Sequence, residues 1–169
     1  MLLEDKTAVI YGGGGSIGGA VARAFAREGA TVFLAGRTPA RLEEVAEEIR
    51  SAGGVAETAQ VDALDERAVD EHADAVAARA GGIDISFNLI SHGDVQGIPL
   101  AEMALEDFER PILIAVRTTF LTARAAALAH DKAGRSGVIL AFGGYGDLLP
   151  GYYLGGLQVA FQANRGPRR

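Results

Sequence analysis

Apolar and polar positions follow two periods along the chain, and the switches between them mark a repeated strand–helix unit. Residues 6–11 carry the β-branched and aromatic content of a buried strand. From position 17 the spacing changes: Ile17, Ala20, Val21, Ala24 and Phe25 recur at i, i+3, i+4, i+7 and i+8, one face of a helix. Gly29 stops that helix, and 31–35 is a second short apolar run. Thr38-Pro39 has the form of an N-cap followed by a residue suited to the first helical position. Leu42, Val45, Ala46 and Ile49 then give 41–50 an apolar stripe. The pattern continues with a strand over 55–61, a helix over 66–80, a strand with a glycine entry over 81–90, a loop, a long helix over 111–130 and a strand over 138–142. Residues 155–163 open like one more apolar helix. Strands alternating with helices through short connections imply an α/β domain with a doubly wound parallel sheet in three layers. Its ligand crevice lies at the carboxyl ends of the strands. One domain over 1–163 and a short basic tail over 164–169 account for the chain.

Between the first strand and the first helix lie Gly12-Gly13-Gly14-Gly15-Ser16-Ile17-Gly18-Gly19, with six glycines in the stretch. Glycine is entropically costly, and four in succession belong where the backbone turns sharply and a ligand comes close. Free N–H groups and the positive end of the helix dipole then face that ligand. This makes the turn an anion site suited to a pyrophosphate, with Gly12, Gly14, Gly15, Ser16, Ile17 and Gly18 as candidate contacts. The second strand ends in Gly36-Arg37-Thr38, without a carboxylate. An acidic residue in this region holds a ribose 2′-hydroxyl, whereas an arginine accommodates a 2′-phosphate. The planar fork of Arg37 therefore favours NADP(H) over NAD(H).

The glycine stretch resembles the cofactor loop of the short-chain dehydrogenase/reductase family, Thr-Gly-x-x-x-Gly-x-Gly. Gly12 and Gly18 match its first and last glycines, while Tyr11 stands in place of the Thr and Ser16 in place of the middle Gly. Asp62, after the third strand, matches the Asp that the family places beside the adenine ring; Asp65 serves either that region or the cap of the next helix. The segment Ile83-Asp84-Ile85-Ser86-Phe87-Asn88 resembles Ile-Asp-Ile-Leu-Val-Asn-Asn-Ala-Gly, with Leu89, Ile90 and Ser91 replacing the rest. The resemblance implies a Rossmann-type fold, with Asn88 pinning the central sheet through its amide and the backbone near Ser91 lining the cofactor ribose. His92, in the loop at the carboxyl end of the fourth strand, is placed where an imidazole can act as an acid or base, but no neighbour at a recognisable spacing orients it, which favours an ordinary loop histidine; His72 reads as a solvated surface residue.

The family's chemistry uses a Ser after the fifth strand and, about a dozen residues on, Tyr-x-x-x-Lys. A phenol titrates near pH 10, and a nearby ammonium must lower that value for proton transfer at neutral pH. In this sequence the Ser position falls on Gly143 or Gly144. Tyr145, Tyr152 and Tyr153 are followed four residues later by Leu149, Gly156 and Leu157, and no lysine follows Lys132. The helical Asn of the family falls on Ala115, counted from Phe120-Leu121-Thr122-Ala123-Arg124. Tyr152 and Tyr153 are the candidate catalytic phenols, each acting unaided. The implied function is hydride transfer between nicotinamide and a carbonyl or alcohol of an unnamed small-molecule substrate. The alternative is a non-catalytic nucleotide-binding or interaction module, a pseudo-enzyme or shortened reductase. Family members continue beyond this helix, so the fifth strand is expected to be a sheet edge covered by a second copy in a homo-oligomer.

Composition narrows the partners. The formal net charge of −6 disfavours a nucleic-acid surface, which needs clustered Lys and Arg. With no cysteine there is neither a disulfide nor a thiolate nucleophile, in keeping with a cytoplasmic protein. The three histidines are scattered, so no metal is expected. Met1-Leu2-Leu3 runs straight into Glu4 and Asp5, unlike a signal peptide. The apolar stretch 111–129 is interrupted by Arg117 and Arg124 and reads as a packed helix, not a membrane span.

Overall fold

In the computed structural model, which describes residues 1–134, 136–144 and 154–164, strands and helices alternate as the pattern demands. The elements are β1 (Thr7–Tyr11), α1 (Ser16–Arg27), β2 (Thr31–Gly36), α2 (Pro39–Ser51), β3 (Val55–Gln60), α3 (Glu66–Ala80), β4 (Ile85–Asn88), α4 (Leu105–Ala133), β5 (Val138–Ala141) and α5 (Gly156–Ala163). All pairings are parallel, in the order β3-β2-β1-β4-β5. The chain winds outward from β1 through β2 to β3, then crosses to β4 and β5. The crevice therefore opens where the winding reverses, outside the carboxyl ends of β1 and β4. Tyr11 is in register with Ala35 on one side and Asn88 on the other, which brings three strand ends to one edge.

Side chains of β1 alternate between two cores. Ala8 and Ile10 pack with Ala22, Leu42, Val45, Ala46 and Ile49 from α1 and α2. Val9 and Tyr11 pack with Val69, Ala73 and Val76 of α3 and with Leu121, Ala125 and Ala129 of α4. Every residue of β1 is buried, as a central parallel strand requires. By length and composition α4 is the one helix among the described residues long and apolar enough to cross a membrane, yet its inner face lies on this core.

The structure corrects several expectations. The inward stripe of α1 is Gly18, Gly19 and Ala22, while Ile17 is 48% exposed. Two glycines packed by their backbone leave no hydrophobic signal. Helix α4 starts at Leu105, so Pro111 lies within it instead of opening it. Its first turns carry Glu106, Asp107, Glu109 and Arg110, whose polarity hides the period. His72 is buried, its ring 5.8 Å from that of Tyr11, and is not a surface residue. Thr38 occupies the N-cap of α2, but its hydroxyl makes no capping hydrogen bond. Asp65 does cap α3, its Oδ1 accepting from the N–H groups of Arg67 (3.0 Å) and Ala68 (3.2 Å). At the sheet edge, β5 pairs with β4 alone among the described residues, and Val138, Ile139, Leu140 and Phe142 are exposed.

Candidate functional site

The glycine loop is drawn onto the end of β2. The N–H groups of Gly12 and Gly13 both donate to the carbonyl of Ala35, at 2.8 and 3.2 Å, and that of Gly15 donates to Gly12 at 3.0 Å. Gly12 sits at φ +82°, and a Cβ there would lie 2.5 Å from the carbonyl oxygen of Leu89. A Cβ on Gly18 would collide with the Gly12 carbonyl. These two positions need glycine for close approach, and the result is a floor of bare backbone. Helix α1 begins behind it with neither a capping side chain nor an acidic residue in its first turn, so its positive end stays uncompensated.

Four segments wall a cleft above this floor. Gly12, Gly14 and Gly15 form one side, and Arg37, Thr38 and Arg41 form the next. The Arg37 carbonyl accepts from Gln60 Nε2 at 3.3 Å, which fixes its backbone, while its side chain is exposed. Asp62 stands on the third side, accepting from the Leu64 N–H at 3.0 Å, and Leu89, Ile90 and Ser91 form the fourth with Ile114 and Thr118 of α4. Arg117 Nε donates to the Leu64 carbonyl at 2.8 Å and ties α4 to the Asp62 wall.

The cleft thus gathers Gly12, Gly14, Gly15, Arg37, Asp62 and Ser91 from the sequence candidates. It does not include Ser16, Ile17 or Gly18, the last of which shapes the loop from behind. Nor does it include Asn88, which is buried. The Asn88 amide donates to Thr118 Oγ1 (3.0 Å) and Thr119 Oγ1 (3.2 Å) and accepts from the Ile90 N–H (3.1 Å), so it pins β4 to α4. Ala115, at the family's Asn position, is fully buried and apolar. His92 packs edge-on against Phe161 at 5.9 Å, away from the cleft, and burial lowers its pKa against the opposing pull of Asp94. Tyr145, Tyr152 and Tyr153 lie outside the described residues. Sequence reasoning passed over Arg41, Ile114 and Thr118. A helical spacing of four links Ile114 to Thr118, and Arg41 falls in the first turn of a helix whose start the Thr-Pro pair marks.

A doubly wound sheet whose switch-point crevice is floored by a glycine loop and a helix N-terminus defines a Rossmann-type fold. Residues 6–144 match the family model for short chain dehydrogenases, and the chain belongs to that family. An uncharacterized oxidoreductase of Bacillus subtilis, YxbG, is 39% identical over 122 residues, which cover 72% of this chain and 44% of the relative. Among solved structures, a short-chain dehydrogenase/reductase from Mycobacterium marinum superposes with a TM-score of 0.85 at 30% identity, covering 96% of this chain and 66% of that one. A metagenomic short-chain oxidoreductase in complex with NADP gives a TM-score of 0.83 at 28% identity, covering 98% and 74%. The chain spans about half the length of the curated relatives it matches.

Proposed function

We propose that the cleft binds NADP(H) and that the chain is the cofactor-binding part of an oxidoreductase acting on a carbonyl or alcohol. The observation that carries this reading is the convergence on one cleft of a bare glycine floor, a guanidinium at the end of β2 and a carboxylate after β3. The residues fit the group: the backbone of Gly12, Gly14 and Gly15 lines the cleft, and Gly14 and Gly15 would take the pyrophosphate. Asp62 would face the adenine, the backbone at Ser91 would face the nicotinamide ribose, and Arg37 would take the ribose 2′-phosphate. Bound NADPH supplies a hydride. The chain's own part is to orient the dinucleotide and, through Tyr152 or Tyr153, to give or take the substrate proton. The metagenomic relative with NADP bound supports this cofactor choice. Exposure of the apolar β5 edge supports a homo-oligomer in which a second copy covers it, and sedimentation over a concentration series tests that.

Titration of the full chain with NADPH and NADH, followed by nicotinamide fluorescence, tests the cofactor reading. NADPH is expected to bind more tightly than NADH, and Arg37→Ala to abolish the preference. Equal affinity for both dinucleotides in the parent would overturn the NADP assignment. Tyr152→Phe and Tyr153→Phe, assayed against a panel of carbonyl substrates, test the phenols: loss of turnover in one of them assigns the proton donor, and undiminished turnover in both removes that role.

A further inference from the structure

The chain is acidic, and its arginines are mostly neutralised. Among the described residues, Arg23, Arg50, Arg67, Arg79, Arg110 and Arg124 are ion-paired, and Arg117 donates to a carbonyl. Among the same described residues the side chains of Arg27, Arg37 and Arg41 have no such partner, and two of these three line one cleft. Gly14 explains how Arg41 comes to be there. A Cβ at position 14 would stand 3.0 Å from Arg41 Cβ, so the absent side chain lets the first turn of α2 close against the loop. The Arg41 side chain therefore springs from directly beside the glycine floor, with Arg37 and the uncommitted Thr38 hydroxyl at the same wall. The carboxylate in the cleft lining, Asp62, is a separate element, on β3's side, and it is engaged with the Leu64 N–H.

Resting on the cofactor reading above, we infer that Arg41 is a second specificity-determining residue. With Arg37 it clamps a phosphate on the ribose of an adenosine 5′-phosphate, so the cleft is a receptor for adenosine bisphosphates in their own right. Two guanidinium groups without an ion-pair partner among the described residues carry an electrostatic demand that a single dianionic phosphate satisfies, and a ribose hydroxyl does not. Recognition then lies in the adenosine half of the ligand, because the cleft walls come chiefly from β1, β2, β3 and the loops that follow them. The ribose phosphate could sit at the 2′ position, as in NADP, or at the 3′ position, as in coenzyme A.

The test is isothermal titration calorimetry of the full chain with 2′,5′-ADP, 3′,5′-ADP and 5′-AMP. The variants are Arg41→Ala, Arg37→Ala and, as an unpaired arginine outside the cleft, Arg27→Ala. The parent is expected to bind 2′,5′-ADP at least about tenfold more tightly than 5′-AMP, and Arg41→Ala and Arg37→Ala each to remove about tenfold while leaving 5′-AMP unchanged. Arg27→Ala should behave as the parent. Preference for 3′,5′-ADP that falls in the Arg41 variant upholds the clamp and moves the ligand away from NADP. Arg41→Ala with the parent's 2′,5′-ADP to 5′-AMP ratio, or with both nucleotides weakened equally, overturns the role of Arg41 even where Arg37→Ala and the NADPH titration uphold the cofactor site. A parent that binds none of the nucleotides and neither dinucleotide overturns the cofactor reading, and the clamp with it.

Discussion

Acid should unfold this protein through His72. The imidazole lies on the inward stripe of α3 with 9% of its surface exposed, edge-on to Tyr11, and its Nδ1 has no hydrogen-bond partner. Burial lowers its pKa from 6.5 to about 4. Burial is the cause of this shift: Tyr11 is held neutral by burial and by the nearby charge of Asp70, and Asp70 pairs through Oδ2 with Arg124 at 2.8 Å. Above pH 6.5 the imidazole is neutral in both folded and unfolded chains and stability is unaffected. Below pH 6.5 the unfolded chain takes up a proton that the folded chain refuses, so stability falls until about pH 4, where the folded state is protonated as well. The interval from 6.5 to about 4 corresponds to about 3 kcal/mol. Urea unfolding of the parent and of His72→Phe between pH 4 and pH 8 isolates this residue, since every other titrating group is common to both. The stability of the variant relative to the parent should rise by about 3 kcal/mol as pH falls from 7.5 to 4. A difference that stays flat across that range would refute the reasoning.

Three further outcomes follow from particular contacts. Asn88→Ala removes the partners of the buried Thr118, of Thr119 and of the half-buried Ile90 N–H, and should lower unfolding free energy by about 2 kcal/mol in urea melts without changing the slope. Gly18→Ala drives a methyl into the Gly12 carbonyl, so NADPH affinity should fall at least about tenfold in a fluorescence titration, with parental far-ultraviolet circular dichroism. Asp65→Ala frees two N–H groups at the start of α3 and should cost about 1 kcal/mol, read as a lower urea midpoint, with dinucleotide binding unchanged.

Much of this architecture was legible because the strands are short, apolar and separated by glycines. The bounds of α3 follow from Asp65 before it and Gly81, at φ +74°, after it. What escaped has physical reasons. Gly18 and Gly19 pack by backbone, so of the apolar stripe Ile17, Ala20, Val21, Ala24 and Phe25 the first two are exposed, while Val21 and Phe25 are half-buried against the core. The start of α4 carries solvent-facing charges and one apolar inward residue, too few to show a period. His72 reads as a surface residue by its polarity although it stands three residues after Val69 and four before Val76, both buried. The contact of His92 with Phe161 joins segments far apart in the chain, and nothing local announces it. In the cleft, Gly12 and Arg37 follow from their places at strand ends and Asp62 from the family resemblance, whereas the place of Arg41 depends on Gly14 admitting the first turn of α2, which no local pattern signals.

The central claim is that the crevice above the glycine loop is where a dinucleotide binds. The most direct measurement is a titration of the ¹⁵N-labelled chain with NADPH, following backbone amide shifts. The account predicts perturbations centred on Gly12, Gly14, Gly15, Arg37, Asp62 and Ser91, with the groove between α1 and α2 around Ala26 and Ala52 unmoved. Shifts confined to that second groove, or no saturable shifts at the glycine loop, would contradict it.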